Sequence, residues 1–173
     1  MIYKLIKPTI FYKKKYYEYL KQWGDEVITP TISDLRGRRY ETLLKEIYEL
    51  EHEVDVPKGY FPEGNFLFVN ENDDIIGFVN IRHHLNRLLL NTRGNISFGI
   101  KPSERKPEVT QALIDLALQQ AQEIGIQRIK LVCQKEDNQL CQHIIDIGGS
   151  LESEDFNDVD RYYIQRFWID LRK

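Results

Sequence analysis

Val109, Ala112, Leu113, Leu116, Ala117, Ala121 and Ile124 recur at the 3.6-residue spacing of one helix face. A stripe this long must be covered, and the chain supplies strand-like runs on both sides of it. Upstream, Phe66 to Val69 and Ile75 to Arg82 flank the polar segment Asn70 to Asp74, which reads as two strands and a turn. Asn95 to Ile100 is a further strand with Gly99 inside it. A strand glycine marks a bulge or the close approach of another backbone. Downstream of Gly125, which closes the helix, Ile129, Leu131 and Cys133 alternate through a strand from Gln127 to Cys133.

The flanks follow the same rules. Ile2 to Ile6 is a short first strand, stopped by Lys7-Pro8. Tyr12, Tyr16, Leu20 and Trp23 predict a helix from about Ile10 to Trp23, with Lys13, Lys14 and Lys15 on its solvated face and Gly24 at its end. Asp25 to Arg38 is turn-rich, Arg39 to His52 helical, and Val56 to Asn65 a loop. Asn91 to Gly94 is a turn. A short helix from Asn138 to Ile147 ends at Gly148-Gly149. A closing hairpin then runs from Ser150 to Ser153, through an acidic turn, and from Arg161 to Leu171. Residues 1–173 therefore read as one α+β domain, with a mixed central sheet of about seven strands and helices on both faces.

Composition removes several classes. The net charge of −3 argues against a general nucleic-acid binder. No apolar run approaches the roughly 20 residues that span a bilayer, and the N-terminus lacks the apolar block and cleavage site of a secretory signal. Cys133 and Cys141 lack metal-ligand spacing; Cys133, closing an apolar run, is expected as a buried reduced thiol in a cytoplasmic protein. Asp155, Asp158 and Asp160 lack the spacing and glycine of a calcium loop. No metal site is expected.

Four stretches carry a family resemblance: VNIRHHLN (Val79 to Asn86), GNISFGIKPSER (Gly94 to Arg105), IGIQRIKLVCQKEDN (Ile124 to Asn138) and RYYIQRFWIDL (Arg161 to Leu171). Together they resemble the GNAT superfamily of acyl-CoA-dependent N-acetyltransferases, in a branch of bacterial predicted acetyltransferases. The resemblance implies the GNAT fold, acetyl-CoA as cosubstrate, a small-molecule or peptide amine as acceptor, and a homodimer. It implies that the fourth and fifth strands splay, helped by a bulge in the fourth, and that Phe98, Gly99 and Ile100 hold the pantetheine arm with backbone groups. The family's pyrophosphate loop reads Arg or Gln, any, any, Gly, any, Gly or Ala. Counted back from Gly125, it falls on Arg105, Lys106, Pro107, Glu108, Val109 and Thr110, with no glycine. Pro107 lacks an N–H, and Glu108 adds a carboxylate where an anion would rest. Both start a helix well. Lys101, Arg105 and Lys106 could reach phosphates with side chains instead.

The resemblance also places Asp137 and Asn138 beside the arm, and Cys141 near the leaving sulfur. The helix from Asn138 carries no Tyr to serve as general acid; Cys141 and His143 are its proton-bearing side chains. On the acceptor side, Arg82, His83 and Asn86 match the branch's motif, with His83 the candidate base. His83 and His84 point to opposite faces. Tyr162, Tyr163, Phe167 and Trp168 read as sheet packing. Two functions follow: acetyl transfer from acetyl-CoA to a primary amine by direct attack, or a GNAT-like domain that has lost turnover and binds a ligand or a protein. The intact fourth strand favours the first, Pro107 and Glu108 the second.

Overall fold

The computed structural model describes residues 1–158 and 160–172. Its two layers follow from alternation along the central strands β2 (Glu63–Asn70) and β3 (Ile75–Arg82), which pair antiparallel. Phe66, Phe68, Val79 and Ile81 point to one side. There they meet Val109, Leu113, Ala117 and Ala121 of helix α4 (Pro107–Ile124). Leu67, Val69 and Phe78 point to the other, against Tyr16 and Tyr19 of α1 (Lys13–Lys21) and Tyr40, Leu43 and Ile47 of α2 (Tyr40–His52). A strand segment buried on both faces has to be mostly apolar, as Phe66 to Val69 and Ile75 to Ile81 are.

The expected seven strands are present, but their hydrogen bonds divide them into two antiparallel sheets. The first orders β1 (Tyr3–Ile6), β2, β3 and β4 (Ile96–Ile100); the second orders β5 (Arg128–Gln134), β7 (Tyr162–Asp170) and β6 (Ser150–Asn157). The sheets touch where β4 begins. Asn95 N–H donates to Lys130 O at 2.8 Å, and Lys130 N–H donates to Asn95 Oδ1 at 2.7 Å. Beyond that junction β4 and β5 share no ladder.

Four local expectations are corrected. First, β2 begins at Glu63, inside the expected loop, because Glu63 pairs opposite Arg82. Second, a short helix α3 (Arg87–Thr92) precedes Gly94, capped by Asn86, whose side chain accepts from Leu89 N–H at 2.9 Å. Third, Glu154 and Asp155, expected in the acidic turn, are strand, because β6 runs on from Ser153 to Asn157. The carboxylates of β6 meet cations from β5, from the turn after it and from β7: Lys130–Glu152 at 2.5 Å, Lys135–Glu154 at 2.6 Å, and Arg166–Asp155. Fourth, Cys133 is paired with Cys141 in a disulfide rather than reduced. The tight turn from β5 into α5 (Asn138–Asp146) brings their Cα atoms within 6.3 Å.

The expected bulge in β4 is replaced by the other explanation for a strand glycine. β4 pairs with β3 in unbroken register, and a Cβ on Gly99 would overlap the carbonyl oxygen of Thr29. The segment between α1 and α2 is thus strapped across β4 at Gly99. Among the described residues no helix is long and apolar enough to cross a membrane. Gly99→Ala is expected to push the strap off β4 at a cost of about 1–3 kcal/mol, as overpacking does elsewhere. Urea unfolding should show a lower midpoint at unchanged slope.

Candidate active site

The register decides which backbone groups of β4 are available. Lys101 N–H donates to Ile76 O and Arg82 N–H to Asn95 O, so the odd-numbered residues of β4 bond to β3. By alternation, Ile96, Phe98 and Ile100 turn their N–H and C=O toward β5. Two of these carbonyls are already capped. Thr29 Oγ1 donates to Phe98 O at 3.2 Å, and Arg105 Nε donates to Ile100 O at 2.9 Å. The N–H groups of Phe98 and Ile100 are left facing the gap.

That gap is a cleft of about 580 Å³. Thr29 to Ile32 form one wall, and Val132, Cys133, Gln134, Tyr162 and Ile164 the other. Asn80, Arg82, Ser97 and Phe98 lie between them. Arg82 is fixed by Gly94 O at 3.3 Å and Ser97 Oγ at 2.9 Å. Burial lowers its pKa, and the Glu63 carboxylate opposite partly offsets this.

A smaller pocket of about 210 Å³ opens where α4 and α5 begin, lined by Arg105, Lys106, Pro107, Thr110, Asp137, Gln139 and Leu140. Helix starts favour anions, but this one offers few donors. Pro107 has no N–H, and those of Val109 and Thr110 already bond to Lys106 O at 3.0 and 3.1 Å. Arg105 folds back: besides Ile100 O it holds Glu26 at 2.7 Å and stacks over Trp23 at 5.0 Å. Lys106 is the exposed cation left at the rim.

The expected residues therefore separate. Phe98 lines the cleft, while Gly99, covered by Thr29, and Ile100 follow it on β4 outside the cleft lining. Arg105, Lys106, Thr110 and Asp137 line the smaller pocket, where Asp137 also caps α5 through Leu140 N–H at 3.0 Å. Lys101 is buried, with 8% exposure, and lines neither cavity. Val109 sends its side chain into the core; Glu108 and Asn138 are exposed outside the pocket lining. Cys141, bonded to Cys133, has no thiol proton to give, and His143 is held by Asp115 at 2.8 Å, away from the cleft.

His83 is also displaced. Asn80, Arg82 and His84 share one face of the β3 line, so His83 points to the other, among Lys7, Glu51 and Glu53. Its Nε2 is buried without a partner among the described residues, and burial pushes its pKa below the ordinary 6.5. Sequence reasoning missed Asn80, Ser97, Thr29 and Tyr162. For Asn80 a signal existed: an amide within an apolar strand run, two residues from Arg82 on the same face.

The sequence profile of the Acetyltransferase (GNAT) family matches residues 29–144, from the strap to α5. No curated protein sequence matches the chain. A chimera of spermidine N-acetyltransferase SpeG from Vibrio cholerae and hSSAT superposes with a TM-score of 0.64 at 14% identity, covering 98% of this chain and 95% of that one. The dodecameric spermidine N-acetyltransferase from Vibrio cholerae in its intermediate state gives 0.60 at 15% identity, covering 98% and 93%. The microcin C7 self-immunity acetyltransferase MccE, in complex with acetyl-CoA and AMP, gives 0.65 at 12% identity, covering 97% and 92%. At such identities these structures speak for the fold.

The position of His83 carries a pH signature. A histidine whose folded pKa lies below its unfolded value stabilises the protein above pH 6.5 and loses that contribution as pH falls toward the folded pKa. The urea midpoint should therefore drop on acidification from about pH 7 to pH 5, and drop less in His83→Gln.

Proposed function

The chain belongs to the GNAT acetyltransferase family, and from that premise we propose that it transfers an acetyl group from acetyl-CoA to a primary amine by direct attack. The observation that carries this reading is the free edge of β4. Phe98 presents its N–H at the cleft, with the Ile100 N–H farther along the same edge, while the strap and Arg105 occupy the carbonyls of these two residues. An edge with unpaired donors fits an extended amide-bearing arm.

When bound, acetyl-CoA supplies the activated acyl carbon and a thiol leaving group. The residues of the chain do the rest. The N–H of Phe98 or Ile100 stabilises the oxygen on which charge develops. The strap and Arg82 wall off the cleft and fix the direction of approach. Tyr162 is the hydroxyl-bearing aromatic on the cleft wall, at the start of β7, and takes the role of proton donor to the departing sulfur; the proton shed by the amine passes through solvent in the open cleft and restores the phenol. Lys106 meets the phosphates at the α4 start. The profile match and the open edge both favour this reading over a domain without turnover.

Calorimetric titration with acetyl-CoA should show binding by the unmodified protein. Lys106→Ala should weaken it about tenfold, equivalent to about 1.4 kcal/mol. Glu108→Gly should tighten it, by removing a carboxylate from the phosphate end. Absence of binding in all three proteins would overturn the proposal.

A further inference from the structure

Asn80 carries a buried polar atom that the fold does not use. The residue is 1% exposed. Its Nδ2 donates to Asn65 Oδ1 at 2.9 Å, while its own Oδ1 has no partner among the described residues. The orientation of both amides is set from one end. Glu63 can only accept, so Asn65 presents Nδ2 to it at 3.4 Å, and Asn80 must then present Nδ2 to Asn65. Asn80 Oδ1 is left over. A buried acceptor without a donor is costly to the fold, and this one belongs to a residue lining the cleft. It sits opposite Ser97 in the ladder, next to Phe98. The donor that the proposed reaction brings to this place is the N–H of the attacking amine.

A second observation describes the rest of that amine. A groove of about 510 Å³ continues from the cleft, sharing Thr31, Ile32, Glu63 and Arg82 with it. Its rim includes Tyr60 at 58%, Phe61 at 39% and Leu88 at 69% exposure, with Leu50 and Leu89 beside them. Clustered exposed apolar side chains at a cavity mark a ligand surface. The groove is poor in free negative charge. Glu46 is paired with Arg38 at 2.8 Å, and Glu63 is opposite Arg82 and bonded to Asn65. A polyamine needs several free carboxylates along its length, and the two in this groove lining, Glu46 and Glu63, already face Arg38 and Arg82.

We propose, on the basis of the acetyl-transfer reading above, that the acceptor is a monoamine with an apolar alkyl or aryl body. Its nitrogen donates to Asn80 Oδ1 in the cleft, and Glu63, which lines both cavities, anchors the two amides at the neck between them. Its body lies along Tyr60, Phe61 and Leu88. Asn80 thus selects for an N–H at the reacting position, and the groove selects for what is attached to it.

The test uses 2-phenylethylamine and spermidine as probes, with binding followed by calorimetry, with and without CoA, and turnover by CoA release. The unmodified protein should bind 2-phenylethylamine at least tenfold more tightly than spermidine. Asn80→Leu should weaken that binding at least tenfold and Asn80→Gln, which keeps both the amide donor for Asn65 and an acceptor oxygen, should weaken it less. Affinity for acetyl-CoA should be the same in both variants. The surface variant Leu88→Ser should raise KM for 2-phenylethylamine at unchanged kcat, and it decides the groove even where Asn80→Leu fails to fold. Preference for spermidine, or indifference to both substitutions, overturns the inference while leaving acetyl transfer standing. Failure to bind acetyl-CoA overturns the transfer reading instead, and amine binding without CoA then still decides the groove.

Discussion

Everything in the site depends on how Asn95 joins the two sheets. Its main chain and side chain both bond to Lys130, and its Nδ2 also reaches Arg82 O at 2.9 Å. One residue therefore ties β3, β4 and β5 together at a single point. Gly94 allows this contact, because it sits at φ 65° and a Cβ there would overlap Lys130 O. Strands pinned at one end and right-twisted along their length diverge toward the other. The cleft is the space that this divergence opens, and its edges are strand backbone that would otherwise have been paired.

An open strand edge is a liability, and the fold manages it from both ends. Thr29 crosses over Gly99 and caps Phe98 O; Arg105 returns from the start of α4 to cap Ile100 O. The same two contacts anchor the segments that wall the site, so edge protection and site construction are one arrangement. They also polarise the edge, occupying acceptors and sparing donors. A chain whose reaction generates negative charge at the cleft benefits from that asymmetry.

Much of this was legible in the sequence because it rests on periodicity. The α4 stripe, the β2 and β3 runs and the order of elements apart from α3 follow from spacing alone. Gly99 announced an unusual neighbour, though spacing does not say which of bulge or strap it meets. What escaped depends on contacts distant in sequence. Glu154 and Asp155 look like turn residues until Lys135 and Arg166 stand beside them. Cys133 and Cys141 look unrelated until a turn folds α5 back on β5. His83 was a natural choice of base from its motif, yet a one-residue difference in parity puts His84 on the groove side and His83 on the other. Asn80 passed for a strand residue because its missing hydrogen bond exists only in three dimensions.

The phosphate end shows how one residue's structural duty changes another's chemical one. A basic residue before a helix start reads as an anion ligand, and Arg105 stands in that place. Its guanidinium is instead spent on Ile100 O, Glu26 and the Trp23 ring, which locks the strap-bearing segment to the edge of β4. With Pro107 lacking an N–H and Glu108 placing a carboxylate at the positive end of the α4 dipole, the helix start is self-satisfied. It gains as a helix what it loses as an anion cradle. On the proposed reading, the phosphates of the cosubstrate meet the Lys106 ammonium instead of fixed backbone donors, an interaction that salt screens easily. The Phe98 and Ile100 amides, held by the sheet, then carry the selectivity, and such a site would distinguish ligands by their amide-bearing arm more than by their phosphates.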